Sequence, residues 1–176
     1  MMSRFWVVTA LCAVGILGGC ANGAEPVPDR AGVFEFGENN WLEAPSWVAA
    51  DPAEVESVGA DFGISTSTNS QAATQIFIEV YVSEYSGEQN RDDRKTKMTM
   101  FWTRDVREIL PLVVDGYDGH GLTYDIHDPD KIVAEYYFDG ESSIYRILIE
   151  APQDEAGALD AAREILTEHT VLNDAG

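Results

Sequence analysis

Cysteine is nearly absent from this 176-residue chain, which contains only Cys12 and Cys20. Both lie close to the N-terminus, so no disulfide bond can form within the sequence after residue 20. That sequence is long enough to bury a hydrophobic core. We therefore predict a single domain that is stabilised by its core alone.

Basic residues are also scarce, because the chain has 11 Lys and Arg against 31 Asp and Glu, for a formal net charge of -20. A molecule this acidic repels polyanions, so nucleic acid is not an expected partner. The same charge opposes broad adsorption to anionic lipid headgroups.

Motifs of the common enzyme classes are missing. The sequence has no G-x-S-x-G motif, paired-histidine zinc motif, Walker loop, dinucleotide fingerprint or nucleophilic cysteine. Segment 115–121 is glycine-rich but lacks the distal glutamate of a calcium loop, and the histidines nearby lack the spacing of a zinc site. We expect no metal and no cofactor, and we predict that the protein is not an enzyme. Because catalytic groups need not form local motifs, an enzyme remains the alternative.

The chain has one long apolar run, from Phe5 to Gly19, which follows Arg4. The run is shorter than the roughly 18 to 20 residues that cross a bilayer as a helix. A short apolar run after a basic residue, ending in small residues, is typical of a secretory signal peptide.

The end of this run, Leu17-Gly18-Gly19-Cys20, resembles the lipobox of bacterial lipoproteins. The resemblance implies that residues 1–19 are a lipoprotein signal peptide and that Cys20 is lipidated after cleavage. It also implies a lipid-anchored protein on the outer face of the cell membrane or the periplasmic face of an envelope membrane. The alternative is an ordinary secretory signal with a coincidental cysteine. Cleavage removes one of the 11 basic residues, which leaves a charge of 10 − 31 = −21.

The mature sequence divides into three parts. Residues 20–32 contain prolines and glycines without apolar periodicity, and we interpret them as a lipidated tether. Residues 33–172 carry the patterns of an α+β domain, and residues 173–176 are predicted to be a frayed tail.

Alternation of apolar residues predicts the main strands. Gln75–Ser83 is expected near the centre of a sheet, whereas Lys131–Asp139 and Glu141–Glu150 are expected to form a hairpin through a two-residue Asp139-Gly140 turn. The second face of this hairpin is amphipathic, and we expect a helix to cover part of it. The face assigned to the core carries Ile132, Ala134, Tyr136, Phe138, Tyr145, Ile147 and Ile149.

Segment 95–103 can be interpreted in two ways. As a helix, it would place basic residues at the positive end of the helix dipole. As a strand, it would place Met98, Met100 and Trp102 on one face. We predict a strand that pairs with Gln75–Ser83 after a polar loop, followed by a short helix that Thr103 caps and that stops or kinks at Pro111.

A closing helix from Asp154 completes the pattern, with Leu159, Ala162 and Ile165 on its apolar stripe. The elements predict an α+β fold with an antiparallel sheet of about five or six strands flanked by helices. The order of Gln75–Ser83, the hairpin and the closing helix resembles the PsbP-like fold. This resemblance implies a noncatalytic module of the kind found in extrinsic subunits of membrane complexes and in lipoproteins.

Two functional hypotheses follow. The first is an interaction or accessory module for a membrane complex or envelope machinery, with a protein partner at the membrane surface. The second is a carrier or binding protein for a small or lipidic ligand, because aromatic residues are numerous. A basic cluster within segment 91–107 is the candidate partner-binding site, on a molecule that is otherwise acidic. The cluster consists of Arg91, Arg94, Lys95, Lys97, Arg104 and Arg107.

Overall fold

The computed structural model describes residues 28–37, 39–102, 105–127, 130–155 and 157–173. Its strands are β1 (Val33–Phe36), β2 (Asn40–Glu43), β3 (Val48–Ala49), β4 (Phe62–Ser65), β5 (Gln75–Tyr81), β6 (Arg107–Val114), β7 (Tyr117–His127), β8 (Asp130–Asp139), β9 (Ile144–Pro152) and β10 (Thr170–Val171). Its helices are α1 (Pro52–Ser57), α2 (Gly87–Trp102) and α3 (Ala158–His169), with a 3-10 turn at Ser70–Ala72.

Two antiparallel sheets organise these elements. The large sheet has seven strands in the order β3-β4-β5-β9-β8-β7-β6, and the small sheet has three in the order β1-β2-β10. This architecture confirms the predicted α+β class with an antiparallel sheet in a single domain, although the large sheet exceeds the expected five or six strands. Within the described ranges, no helix is long and apolar enough to cross a membrane.

Both faces of the large sheet are covered. On the inner face, Ile76, Tyr136 and Ile147 join a core that also includes residues of the small sheet and of α3. On the outer face, Phe77 and Met98 belong to a second cluster beneath α1 and α2. The central strands are therefore buried on both sides.

The β8–β9 hairpin was predicted correctly in its faces, but not in its turn. Tyr136 lies opposite Ile147, and Phe138 lies opposite Tyr145, as the assigned core face requires. The strands are joined by a four-residue loop, residues 140–143, rather than by a two-residue turn. The predicted turn and the observed loop both have an even number of residues. The observed register therefore differs from the predicted one by an even number of residues, and every side chain stays on its predicted face.

The prediction of a strand over residues 95–103 is wrong, because residues 95–102 are the second half of the helix α2, and Thr103 lies outside the described residues. The helix begins at Gly87, so its basic residues lie beyond the first turn and do not oppose the dipole. Ser86 and Gln89 form a capping box, since each side chain accepts a hydrogen bond from the backbone NH of the other, at 3.3 and 2.9 Å. This S-x-x-Q signal lies in the segment that we had interpreted as a loop.

The short helix expected before Pro111 is also absent, and Arg107–Val114 forms the edge strand β6. A proline is tolerated in an edge strand, where its missing NH removes no ladder hydrogen bond on the outer side. The pairing with β7 shifts between Ile109 and Leu112, so the proline sits in an irregularity of the strand. Strand β5 consequently pairs with β4 and β9 instead of with segment 95–103.

The glycine-rich segment 115–121 forms a tight turn at its start and belongs to β7 for the rest of its length. Asp115 and Gly116 have positive φ angles of 49° and 86°, which suit a two-residue hairpin turn. A Cβ atom at Gly119 would lie 2.4 Å from the Phe138 ring of the neighbouring strand. The glycines of this segment therefore let aromatic rings pack directly on the backbone.

The packing of the inner face leads to a stability prediction. Ile147 is 0 % exposed, and its replacement by alanine is expected to cost about 3 kcal/mol of unfolding free energy, because it leaves a cavity in the core. Chemical denaturation measures this change. Val82→Ala is the control, since Val82 is 83 % exposed and its truncation is expected to cost less than about 0.5 kcal/mol. Equal losses for the two variants would contradict the assigned core.

Candidate functional site

A fully buried carboxylate lies at the centre of the outer face. Glu135 of β8 is 0 % exposed, and its Cα partners are Leu122 on β7 and Leu148 on β9. An unpaired charge at such a position would be strongly destabilising. The surrounding residues must therefore satisfy both carboxylate oxygens.

Four hydrogen bonds meet at this carboxylate. The Oε1 atom accepts from the Tyr137 hydroxyl at 2.7 Å and from Arg146 Nε at 2.6 Å. The Oε2 atom accepts from the Tyr124 hydroxyl at 3.2 Å and from Arg94 Nε at 3.3 Å. We call Glu135, Arg94, Tyr124, Tyr137 and Arg146 the Glu135 network.

The strand register explains why these side chains meet. Tyr137 is two residues beyond Glu135, so it shares the outer face, and Arg146 is the direct cross-strand partner of Tyr137. Tyr124 lies diagonally across the β7–β8 pair, within reach of a long side chain. Arg94 completes the network from α2, which lies over these strands.

The neighbouring charges and hydrogen bonds keep the Glu135 carboxylate ionised. Burial acts to raise the pKa of Glu135, but the guanidiniums of Arg146 and Arg94 and the hydrogen bonds outweigh burial and hold that pKa below its usual value. Burial and the Glu135 charge raise the pKa of both Tyr124 and Tyr137, so these phenols stay protonated. At neutral pH the network consists of a carboxylate, two guanidiniums and two neutral phenols. None of these groups is poised to exchange a proton.

An open cleft of about 560 Å³ lies above the network, between α1 and α2. We call it the outer cleft. Its charged groups are paired, because Arg146 contacts Glu79 at 2.7 Å and Lys97 contacts Asp93 at 2.5 Å. Burial and the Glu79 charge raise the pKa of Tyr81 on its wall to about 12. The apolar part of its lining consists of Val58, Met98, Ile126 and Leu148.

The structure places the residues of the predicted basic cluster in different environments. Arg94 points inward to the Glu135 network, whereas Arg91, whose side chain is 12% exposed, contacts Glu88, Asp92 and Glu108. The remaining described members also have acidic neighbours: Lys95 contacts Glu108, Lys97 contacts Asp93, and Arg107 lies 4.0 Å from Asp125. Arg104 and Cys20 lie outside the described residues. Partner binding by the surface members stays a prediction.

Sequence reasoning missed the Glu135 network, although its members were visible. Glu135 interrupts an apolar strand, and the predicted hairpin already placed Glu135, Tyr137 and Arg146 on one face. An acidic and a basic residue on the same face of a paired, apolar hairpin are a signal of a buried ion pair. Arg94 could not be added, because its segment had been interpreted as a loop.

The exposed large apolar side chains include two pairs, one at the end of α2 and one on β6. Met100 and Phe101, at the end of α2, are 69 % and 74 % exposed. Leu110 and Val113, on the edge strand β6, are 87 % and 50 % exposed. Exposed apolar side chains that cluster on a surface commonly mark interaction sites.

Comparison with known proteins identifies the fold. No family model matches the sequence, and no curated protein is significantly similar to it. Among solved structures, the PsbP protein of the cyanobacterium Synechocystis (CyanoP) is similar, with a TM-score of 0.54 and 12% identity, over 90% of this chain and 100% of that one. The large sheet, its helices and this similarity show a PsbP-like fold, which confirms the resemblance noted from the order of elements.

Two further structures share this fold. LpqN of Mycobacterium tuberculosis, described as involved in cell envelope biogenesis, has a TM-score of 0.50 and 14% identity, over 74% of this chain and 80% of that one. A protein of Bacteroides thetaiotaomicron has a TM-score of 0.50 and 7% identity, over 83% of this chain and 50% of that one. At these identities the similarities establish the fold.

Proposed function

We propose that this protein is a lipid-anchored, extracytoplasmic, noncatalytic module that binds a protein partner of the same membrane as an accessory component. The lipobox-like sequence before Cys20 supports the location. The PsbP-like fold supports the accessory role, since the structural neighbours include an envelope protein and a cyanobacterial PsbP. The closed hydrogen bonding of the Glu135 network supports a noncatalytic role.

The observation that carries this proposal is the exposed apolar surface of β6. This strand ends the large sheet, and it presents Leu110 and Val113 to solvent. Pro111 and the neighbouring shift in register oppose the addition of another strand at this edge. A partner would therefore contact the side chains of β6 rather than extend the sheet.

In-cell photo-crosslinking from β6 tests the proposal. A photoreactive amino acid at Leu110 is expected to crosslink one defined membrane protein, whereas the same amino acid at Thr167, an exposed residue of α3, is expected to give no such product. Leu110→Glu should reduce recovery of that partner after mild-detergent purification at least about tenfold, if Leu110 is an interface anchor worth about 1.4 kcal/mol or more. Equal crosslinking at both positions, or full recovery with Leu110→Glu, would contradict the proposal.

The outer cleft supports a second candidate, a binding protein for a small ligand. Its volume of about 560 Å³ falls in the range of small-molecule sites, and it combines apolar walls with polar groups. Mass spectrometry of small molecules that co-purify with the protein tests this function. A specific ligand should be lost in Leu148→Glu, which would place a charge on the cleft wall, and kept in Leu110→Glu.

A further inference from the structure

The strand registers place two distant parts of the chain at the same end of the large sheet. One row of paired residues crosses this end from β3 to β7: Val48, Ser65, Gln75, Glu150, Val133 and Tyr124. The row at the opposite end contains Tyr81, Ile144 and Asp139. These two rows define a near end and a far end of the sheet.

The domain begins at the near end. Arg30 pairs with Glu43, and the backbone NH of Ala44 donates to the Gly32 carbonyl at 2.7 Å. The chain then reaches Val48, the first residue of the near-end row, within four residues of Ala44. Residue 28, the first that the structure describes, therefore lies on this side of the domain.

Helix α2 also ends at the near end. Its first turns lie at the far end, where Gly87 donates to Asp139 at 2.7 Å and Asn90 accepts from the Tyr81 hydroxyl at 3.2 Å. Its last turns reach the other side, where Lys97 lines the outer cleft together with Glu150. The helix thus runs along the sheet and presents its C-terminal residues beside the near-end row.

The composition of this helix end is unusual for the molecule. Residues 94–102 contain no acidic residue, in a chain of net charge -20, and of their three basic residues Arg94 contacts the buried Glu135, whereas Lys95 and Lys97 contact Glu108 and Asp93. Met100 and Phe101 are exposed here, and the Lys97 side chain is 61% exposed, next to an equally accessible Asp93. We call Lys97, Met100 and Phe101 the α2 tip. Exposed apolar side chains flanked by lysines are the residues that enter the boundary between headgroups and acyl chains.

We infer that the α2 tip is a second membrane contact, with the surface of an anionic phospholipid bilayer as its occupant. The inference depends on the proposed anchor at Cys20. Eight residue steps separate Cys20 from residue 28, and an extended chain spans at most about 3.6 Å per residue, so residue 28, on the side of the near end, lies within about 29 Å of Cys20. The α2 tip and the tether then hold the near end of the sheet at the membrane. The strands consequently point away from the membrane surface, and the β6 edge faces other proteins of the same membrane.

Depth-dependent fluorescence quenching tests this orientation. Phe101→Cys introduces a thiol into a mature chain whose own Cys20 is lipidated, so an environment-sensitive fluorophore can be attached at this position alone. The lipidated protein is placed in vesicles of phosphatidylcholine and phosphatidylglycerol that carry a spin-labelled lipid quencher. We expect strong quenching and a blue-shifted emission, both diminished by Lys97→Glu.

Tyr85→Cys is the matched control, because Tyr85 is an exposed aromatic residue at the far end, 62 % exposed. Its label should be quenched several-fold less than the label at position 101. Equal quenching at both positions, in protein that floats with the vesicles, would overturn the membrane contact while leaving the anchor intact. In that case a protein partner would be the remaining candidate for binding at the α2 tip. Loss of flotation would overturn the anchor and, with it, the inference.

Discussion

Arg146→Leu is expected to destabilise the domain by about 3 to 5 kcal/mol. The substitution removes the guanidinium that contacts the fully buried Glu135 carboxylate at 2.6 Å, and it leaves this carboxylate short of positive charge. Chemical denaturation measures the loss. The control is Glu79→Gln, since Glu79 is the more exposed partner of Arg146, and its neutralisation should cost less than about 1 kcal/mol.

A double variant distinguishes the cost of an unpaired buried charge from the cost of lost packing. In Glu135→Leu/Arg146→Leu neither of the two charges remains, so we expect it to be more stable than Arg146→Leu by about 1 kcal/mol or more. Additive losses would show that the two side chains contribute independently. That result would contradict the network as the reason for the effect.

The stability difference should also depend on pH. The pKa of Glu135 is held below its usual value in the folded protein, so the network stabilises the wild type above about pH 4.5 and loses this contribution as the pH falls through the folded pKa. In Arg146→Leu, less positive charge counteracts the effect of burial on the pKa of Glu135. Protonation of Glu135 then removes the cost of burying its negative charge. The gap between the two proteins should therefore narrow below about pH 4.5. A gap that is constant from neutral to acidic pH would count against an ionised Glu135.

Cys20→Ala is expected to abolish lipid modification and to leave the protein either as an uncleaved precursor or free of the membrane. Alanine has no thiol to alkylate, and lipid chains on Cys20 would be the main anchor in the proposed function, because the net charge of the chain opposes anionic surfaces. Metabolic labelling with a lipid precursor and membrane fractionation measure the result. The matched control is Cys12→Ala, which removes the other cysteine and should leave labelling unchanged. Undiminished labelling of Cys20→Ala would refute the lipobox interpretation.

The sequence was most informative where strands are long and buried. In β8 and β9 one set of alternate positions is entirely apolar and the other set is mixed, so the core face could be assigned residue by residue, including Tyr136 and Ile147. The extra residues of the hairpin loop could not be seen, because Asp139-Gly140 is also a strong two-residue turn signal. In the structure Asp139 stays in β8, where it pairs with Ile144 and accepts a hydrogen bond from the Gly87 NH.

Helix α2 was missed because a helix that begins near residue 95 would place basic residues at its positive end, and because the residues before it were interpreted as a polar loop. Among the side chains of α2 that the structure describes, Met98 alone is fully buried. Met98 and Met100 are two residues apart, which imitates a strand, but Met100 belongs to the exposed tip. The helix is held by polar contacts to residues distant in sequence, and these contacts cannot be recognised from periodicity.

The Glu135 network could not be predicted in full for the same reason. Its hairpin members could be placed on one face, but the burial of that face depends on a helix that joins it from another part of the chain. The basic cluster, in turn, was defined by closeness in sequence. Folding separates its described members into Arg94, which contacts Glu135 beneath α2, and Arg91, Lys95, Lys97 and Arg107, which neighbour other acidic side chains.

The polar attachment of α2 has a consequence for the motions of the domain. Among the described side chains of α2 only Met98 is fully buried, so these side chains gain little from the hydrophobic effect, and the contacts of the helix through Asp139, Tyr81 and Glu135 are directional. Such contacts define one position of the helix closely, yet they are lost together once water enters beneath it. We therefore expect α2 to open as a unit ahead of the sheet, with backbone amides that exchange with solvent earlier than those of β8 and β9. The most readily unfolded part of the domain would then be the part that covers its deepest charge.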